Sequence, residues 1–152
     1  MNPVCLVSAV AIFASSVSGS AQPESEQESL ARLRELTNTV MVRVIAGDDA
    51  GAMELLRPNL PIEKAEFDSM RSKTIDNRRI YKDRYGKPVE YKLLREERVS
   101  DFLIRLTYVE KRTNHLLRWQ FVFYRPKTQW RLNSFMWDDN ALALFDANKA
   151  AK

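Results

Sequence analysis

The spacing of apolar positions changes once along this chain, from a period near 3.6 to a period of two. In the first half, Leu30, Leu33, Leu36, Val40 and Val44 fall on one helical stripe, which Gly47 ends. Asp48 or Asp49 is placed to cap a short second helix through Leu56, with Met53 and Leu56 turned inward. Pro58 and Pro61 interrupt the chain. Pro61 suits the first turn of a third helix, which ends between Lys73 and Ile80. Ile62, Phe67 and Met70 share its apolar face, with Ala65 at the margin.

The alternation then becomes strand-like. Val89, Tyr91 and Leu93 alternate with Glu90, Lys92 and Leu94. Phe102, Ile104, Leu106 and Tyr108 form one face of a second strand, and Leu117, Trp119, Phe121 and Phe123 one face of a third. In the fourth, Trp130, Leu132, Ser134 and Met136 alternate with Arg131, Asn133, Phe135 and Trp137. Short connections between them predict an antiparallel meander. One face lies on the helices. The other reads as too aromatic to be simply wetted, so a second copy is expected to cover it and make a homodimer. Asp138 or Asp139 can cap a last helical turn, Asn140 to Phe145. Helices first and antiparallel strands after is an α+β layout: three N-terminal helices packed on a curved antiparallel sheet of four or more strands.

The N-terminus follows a different pattern. Residues 1–21 carry no charge, and Val4 to Val17 is an apolar to small-residue run. It is shorter than the roughly 20 apolar residues that cross a bilayer. Ser18, Gly19, Ser20 and Ala21 follow, as in a secretory signal peptide with cleavage after Ala21. The rival, a buried or uncleaved N-terminal helix, leaves the small-residue flank unexplained. A periplasmic or secreted protein is expected, with a polar tail over 22–29 and a single domain over 30–148. About 130 residues are enough for one such domain.

Charge and cysteine content narrow the chemistry. The chain has 24 basic and 20 acidic residues, a net charge of +4, with the signs mixed as in Arg95-Glu96-Glu97-Arg98. That quartet reads as cross-strand pairing on a sheet edge. A nucleic-acid binder would gather its positive charge on one face or arm, so no nucleic-acid partner is expected. Cys5, the only cysteine, leaves with the signal, which removes disulfides, thiol nucleophiles and thiolate ligands. Gly47, Gly51 and Gly86 form no phosphate loop, and no metalloprotease, calcium-loop or nucleophile-elbow motif is present. Neither a cofactor nor a metal is expected, nor a membrane span in the mature chain.

The stretch Tyr85–Phe145 resembles the nuclear transport factor 2-like superfamily, a cone-shaped α+β fold. The carrying residues are Tyr85-Gly86-Lys87, the run RWQFVFYRP from Arg118 to Pro126, Trp130-Arg131-Leu132, Phe135 and Asp138-Asp139. With the three helices, the resemblance covers most of the mature chain. It is similar in particular to small exported bacterial members. The superfamily includes isomerases, dehydratases, ligand carriers and protein-binding modules, and fold alone does not choose among them.

His115, the only histidine, sits at a turn beside Asn114 with no nucleophile motif nearby and reads as an exposed turn residue. Asp138 and Asp139 end an aromatic strand. A carboxylate held among Trp and Phe would have a raised pKa and could serve as a general base. Tyr91, Tyr108 or Tyr124 would then be the donor to a developing oxyanion. Capping of the last helix is the simpler role for both aspartates. For ligand binding the candidates are Trp119, Trp137 and Tyr91, together with Arg105, Arg118 and Tyr124 of the mixed face, where Arg would hold an anion. Core or interface is the commoner use of such an aromatic stripe. Which sheet face turns inward depends on register, since a one-residue slip reverses it. The expected function is an exported non-enzymatic domain that binds a small molecule or an envelope protein. The alternative is a small isomerase or lyase using Asp138 or Asp139.

Overall fold

The computed structural model describes residues 25–146. The signal peptide expected over 1–21, Cys5, and residues 147 and 148 at the expected domain end lie outside them. The elements are α1 (Glu26–Ala46), α2 (Asp49–Leu56), a 3-10 turn (Arg57–Asn59), α3 (Lys64–Tyr85), β1 (Pro88–Val99), β2 (Leu103–Arg112), β3 (Leu116–Tyr124), β4 (Arg131–Asp138) and α4 (Ala143–Asp146).

A capping box starts α1. The Ser25 hydroxyl accepts from the Glu28 N–H, and the Glu28 carboxylate accepts from the Ser25 N–H at 2.9 Å. Residues 26–29, expected in a polar tail, are therefore its first turn. Leu30, Leu33, Val40 and Val44 are buried along the expected stripe, joined by Thr37 and Met41. Gly47 closes the helix in the left-handed region at φ 78°. Asp48 caps α2, accepting from the Gly51 N–H at 2.9 Å.

The third helix departs from expectation at both ends. Pro61 and Ile62 precede it, and it runs on to Tyr85. Its inward positions continue from Phe67 and Met70 to Thr74, Arg78, Tyr81 and Tyr85. The apolar period fades after Met70 because a threonine and an arginine take the buried places. Ala65 is exposed.

The four strands form one antiparallel sheet in the order β1-β2-β3-β4. Its inner face buries Ile104, Leu106 and Tyr108 of β2, Leu117, Trp119, Phe121 and Phe123 of β3, and Leu132 of β4. These meet Val40, Met41, Val44, Met53, Leu56 and Phe67 from the helices in one core. Phe102 lies outside β2, in the preceding turn, exposed and edge-on to Tyr124 at 6.3 Å. A register shift in β4 overturns its simple alternation. Phe123 pairs with Leu132 and Val122 with Ser134, so Asn133 is the extra residue of a bulge. Phe135 and Trp137 consequently share the inner face with Leu132, while Ser134 and Met136 turn outward.

The outer face is not aromatic. Tyr124 is its one aromatic strand residue, and polar groups dominate: Arg105, Thr107, Lys111, Arg118, Gln120 and Asp138. The motive for a covering second copy disappears with this assignment. Ion pairs cross the face instead: Arg105–Glu97 at 2.7 Å, Lys111–Glu90 at 3.0 Å and Arg118–Asp138 at 2.6 Å. Arg95 Nη1 donates to the Leu144 carbonyl at 3.0 Å and draws the C-terminal segment onto it. Of the edge quartet only Glu97 pairs across strands, with Arg105; Glu96 and Arg98, on the opposite face, meet Arg34 at 2.5 Å and Glu26, both on α1. The last helix begins at Ala143 rather than Asn140. Asn140 caps it through the Ala143 N–H, and Asp138 accepts from the Asn140 N–H.

Three N-terminal helices on a four-stranded antiparallel sheet define an α+β fold compatible with the expected layout. Among the described residues no helix is long and apolar enough to cross a membrane.

Candidate functional site

Two inner-face positions that the apolar pattern leaves to chance carry charge. Glu110 and Arg112 continue the parity of Ile104, Leu106 and Tyr108, so β2 points them at the helices. Arg78 reaches the same place from α3. The three side chains are 0–1% exposed. Glu110 accepts from Arg78 Nη1 at 2.7 Å, from Arg112 Nε at 2.7 Å and from Trp119 Nε1 at 2.7 Å. Arg78 Nε donates to Asp49 at 2.6 Å, and Arg112 Nη1 to the Gly86 carbonyl at 2.9 Å. The Arg78 guanidinium also lies 5.1 Å from the Trp119 ring and 5.7 Å from that of Trp137. Buried charge persists only when paired and hydrogen-bonded, and each group here is. Burial draws Arg112 below the ordinary arginine value, with Glu110 opposing it.

Two concavities flank this network on opposite sides of α3. One is a cleft of about 410 Å³ between the α1–α2 junction, α3 and the start of β1. Arg78 and Arg112 form part of its wall, with Asp49 beside them. The other is a groove of about 730 Å³ between α3 and β4, walled by Met70, Tyr81, Phe135, Met136 and Trp137, with Glu66, Ser69, Lys73, Thr74 and Asn77 adding polar groups. Tyr81 packs edge-on to Trp137 at 4.9 Å and to Tyr85 at 5.4 Å. Between helices and sheet, Phe67, Met53, Tyr108, Trp119 and Phe121 fill the interior.

At the far end of α3 the Tyr85 hydroxyl donates to the Asp139 carboxylate. The His115 ring lies 4.4 Å from the Tyr85 ring, and the Arg84 guanidinium 4.9 Å from it. The shared hydrogen bond holds Asp139 below the usual carboxylate range and pushes the Tyr85 phenol up. His115 is half-buried rather than an exposed turn residue.

The candidates do not converge. Trp119 is fully buried beneath Arg78, and Trp137 stacks near it at 6.0 Å while walling the groove. Tyr91 is half-buried on the inner face, 6.1 Å from Tyr108. Arg105, Arg118 and Tyr124 lie on the outer face, the two arginines already held by Glu97 and Asp138. The phenol that meets an aspartate is Tyr85, not Tyr91, Tyr108 or Tyr124. Tyr108 bonds with Thr37 at 2.7 Å and donates to Asn38 at 3.0 Å, and burial pushes its pKa up. The Arg78–Glu110–Arg112 network escaped the sequence reading. Its one signal was the position of Glu110 and Arg112 in step with a buried apolar series.

Comparison with known protein families, with curated proteins and with solved structures found no match to this chain.

Proposed function

We propose that this chain is an exported, non-enzymatic binding domain of the nuclear transport factor 2-like type, which holds a small molecule in the groove between α3 and β4. Export rests on the N-terminal pattern of residues 4–21. The fold type rests on the residues that carry the resemblance and on a helix-and-meander arrangement compatible with it. The observation that carries the binding role is the groove itself. Its volume of about 730 Å³ lies in the range of small-molecule sites. Tyr81, Phe135 and Trp137 offer ring faces and edges along it, and Ser69, Thr74 and Asn77, with Lys73 and Glu66 as one charge of each sign, offer polar groups that orient a ligand. A planar, largely apolar compound with one acceptor or acidic group fits that chemistry.

The test is titration of 8-anilinonaphthalene-1-sulfonate, a planar apolar probe with one anionic group. Saturable binding at one site is expected, lost in Trp137→Ala and kept in Trp130→Ala. Equal binding by both variants would remove the groove from consideration. Export is tested separately by the N-terminal sequence of the protein recovered from the cell envelope, where Gln22 should come first.

The enzymatic alternative has one observation on its side, the phenol bonded to Asp139. The same bond lowers the carboxylate's pKa and so weakens it as a base. Asp139→Asn should leave probe binding intact and lower only the melting temperature.

A further inference from the structure

The cleft on the other flank of α3 has a surplus of positive charge that the fold itself does not use. Its acidic wall residues are engaged: Asp49 accepts from Arg78 at 2.6 Å, and Asp48 pairs with Arg43 at 2.5 Å while capping α2. Arg78 and Arg112 are neutralised in turn by Asp49 and the buried Glu110. Arg79, Lys82 and Lys87 remain. All three line the cleft, all are exposed, and none has a carboxylate partner among the described residues.

Helical geometry concentrates them. At 100° per residue, Ile75, Arg79 and Lys82 lie on one flank of α3, while Lys73, Asn77 and Tyr81 lie on the groove flank. Arg78 and Lys82 are four residues apart, and Arg79 and Lys82 three, so like charges neighbour each other on the same surface. Asp76 and Asp83, three residues before and four after Arg79, are the acidic neighbours on this flank, yet neither forms an ion pair with Arg79, Lys82 or Lys87 among the described residues, so the like-charge crowding is only partly offset. The favourable field at a helix C-terminus accounts for Lys82 alone. Lys87 converges from the opposite wall, at the start of β1.

We infer that this cleft binds a small phosphorylated compound. Three uncommitted cations match a phosphoryl group, which carries about −1.5 to −2 charge near neutrality, better than a single carboxylate. Lysine supplies point charge to phosphate, and Arg79 a planar pair of donors. Ile75 gives an organic portion an apolar surface, and a volume of about 410 Å³ is in the small-molecule range. This site is independent of the groove and does not need it to be occupied.

Isothermal titration of the full chain with inorganic pyrophosphate, in low-salt buffer free of phosphate, tests the assignment. One saturable site is expected. Arg79→Gln combined with Lys82→Gln should weaken it at least about tenfold, the scale of losing charge-assisted hydrogen bonds. Lys127→Gln, in the β3–β4 turn, and Trp137→Ala in the groove should leave it unchanged. The two α3 positions are exposed, so circular dichroism should show the double variant folded. Absence of saturable binding, equal binding by the double variant, or tighter binding of citrate than of pyrophosphate would overturn the assignment.

Discussion

Glu110 is the residue on which the interior depends most. It is the common acceptor for two buried guanidiniums and an indole N–H. Glu110→Gln leaves Arg78 with Asp49 as its one carboxylate and Arg112 with none. Breaking a buried pair from one side costs about 3–5 kcal/mol, a large part of a typical domain's 5–15 kcal/mol. Urea denaturation should show a loss of that size. The exposed pair Arg105–Glu97 is the control: Arg105→Gln should cost at most about 1 kcal/mol. The Tyr85–Asp139 bond gives a pH signature. Asp139's pKa is depressed in the fold, so its contribution is present above the ordinary aspartate value and lost as pH falls through the depressed one. The raised pKa of Tyr85 makes the bond persist below the ordinary tyrosine value and fail as pH rises through the raised one. Tyr85→Phe should therefore lower the melting temperature across the neutral range, with the gap to the parent closing at both extremes in a series of thermal melts.

Two glycines end helices under different constraints. Gly47 has φ 78° and ψ 11°, a left-handed residue with open space where a Cβ would stand. Gly86 has φ 79° and ψ −169°, a region almost confined to glycine, and an added Cβ would come 2.8 Å from the Thr113 side chain. Gly47→Ala should cost about 1 kcal/mol and Gly86→Ala about 2 kcal/mol more, read as a difference in urea unfolding free energies. The contrast also explains which elements could be read from the sequence. The stripe of α1 and the buried faces of β2 and β3 follow from apolar spacing, because burial there is largely by hydrocarbon, and the cap of α2 follows from an aspartate placed just after the Gly47 stop. The second half of α3 was illegible because Thr74 and Arg78 occupy its inward positions, and Arg78 meets Asp49 and Glu110 only in the folded chain. In β4 the pattern itself misleads, since the bulge at Asn133 reverses the faces after Leu132. Candidate sites suffered in the same way. Trp137 was legible as an aromatic, but its place on the groove wall depends on that bulge.

At the scale of the molecule, the distribution of polarity between the two sheet faces decides how the chain associates. The aromatics Tyr108, Trp119, Phe121, Phe123, Phe135 and Trp137 all turn toward the helices. The outer face carries paired charges, and the C-terminal segment reaches it through Leu144 and Arg95. Stable obligate interfaces are apolar at their centre and depleted of charge there. A second copy on this face would have to desolvate Arg105–Glu97, Arg118–Asp138 and Lys111–Glu90 without replacing their partners. Sedimentation velocity at micromolar concentration should accordingly show a single monomeric species. Raising the salt should not change it, because these pairs are made within one chain rather than between two. A concentration-dependent dimer would point to exposed apolar positions elsewhere, among them Val89, Leu93 and Leu94, which cluster on β1. Val89→Lys and Leu94→Lys would then be expected to dissolve it, whereas Tyr124→Ala, on the outer face, would not.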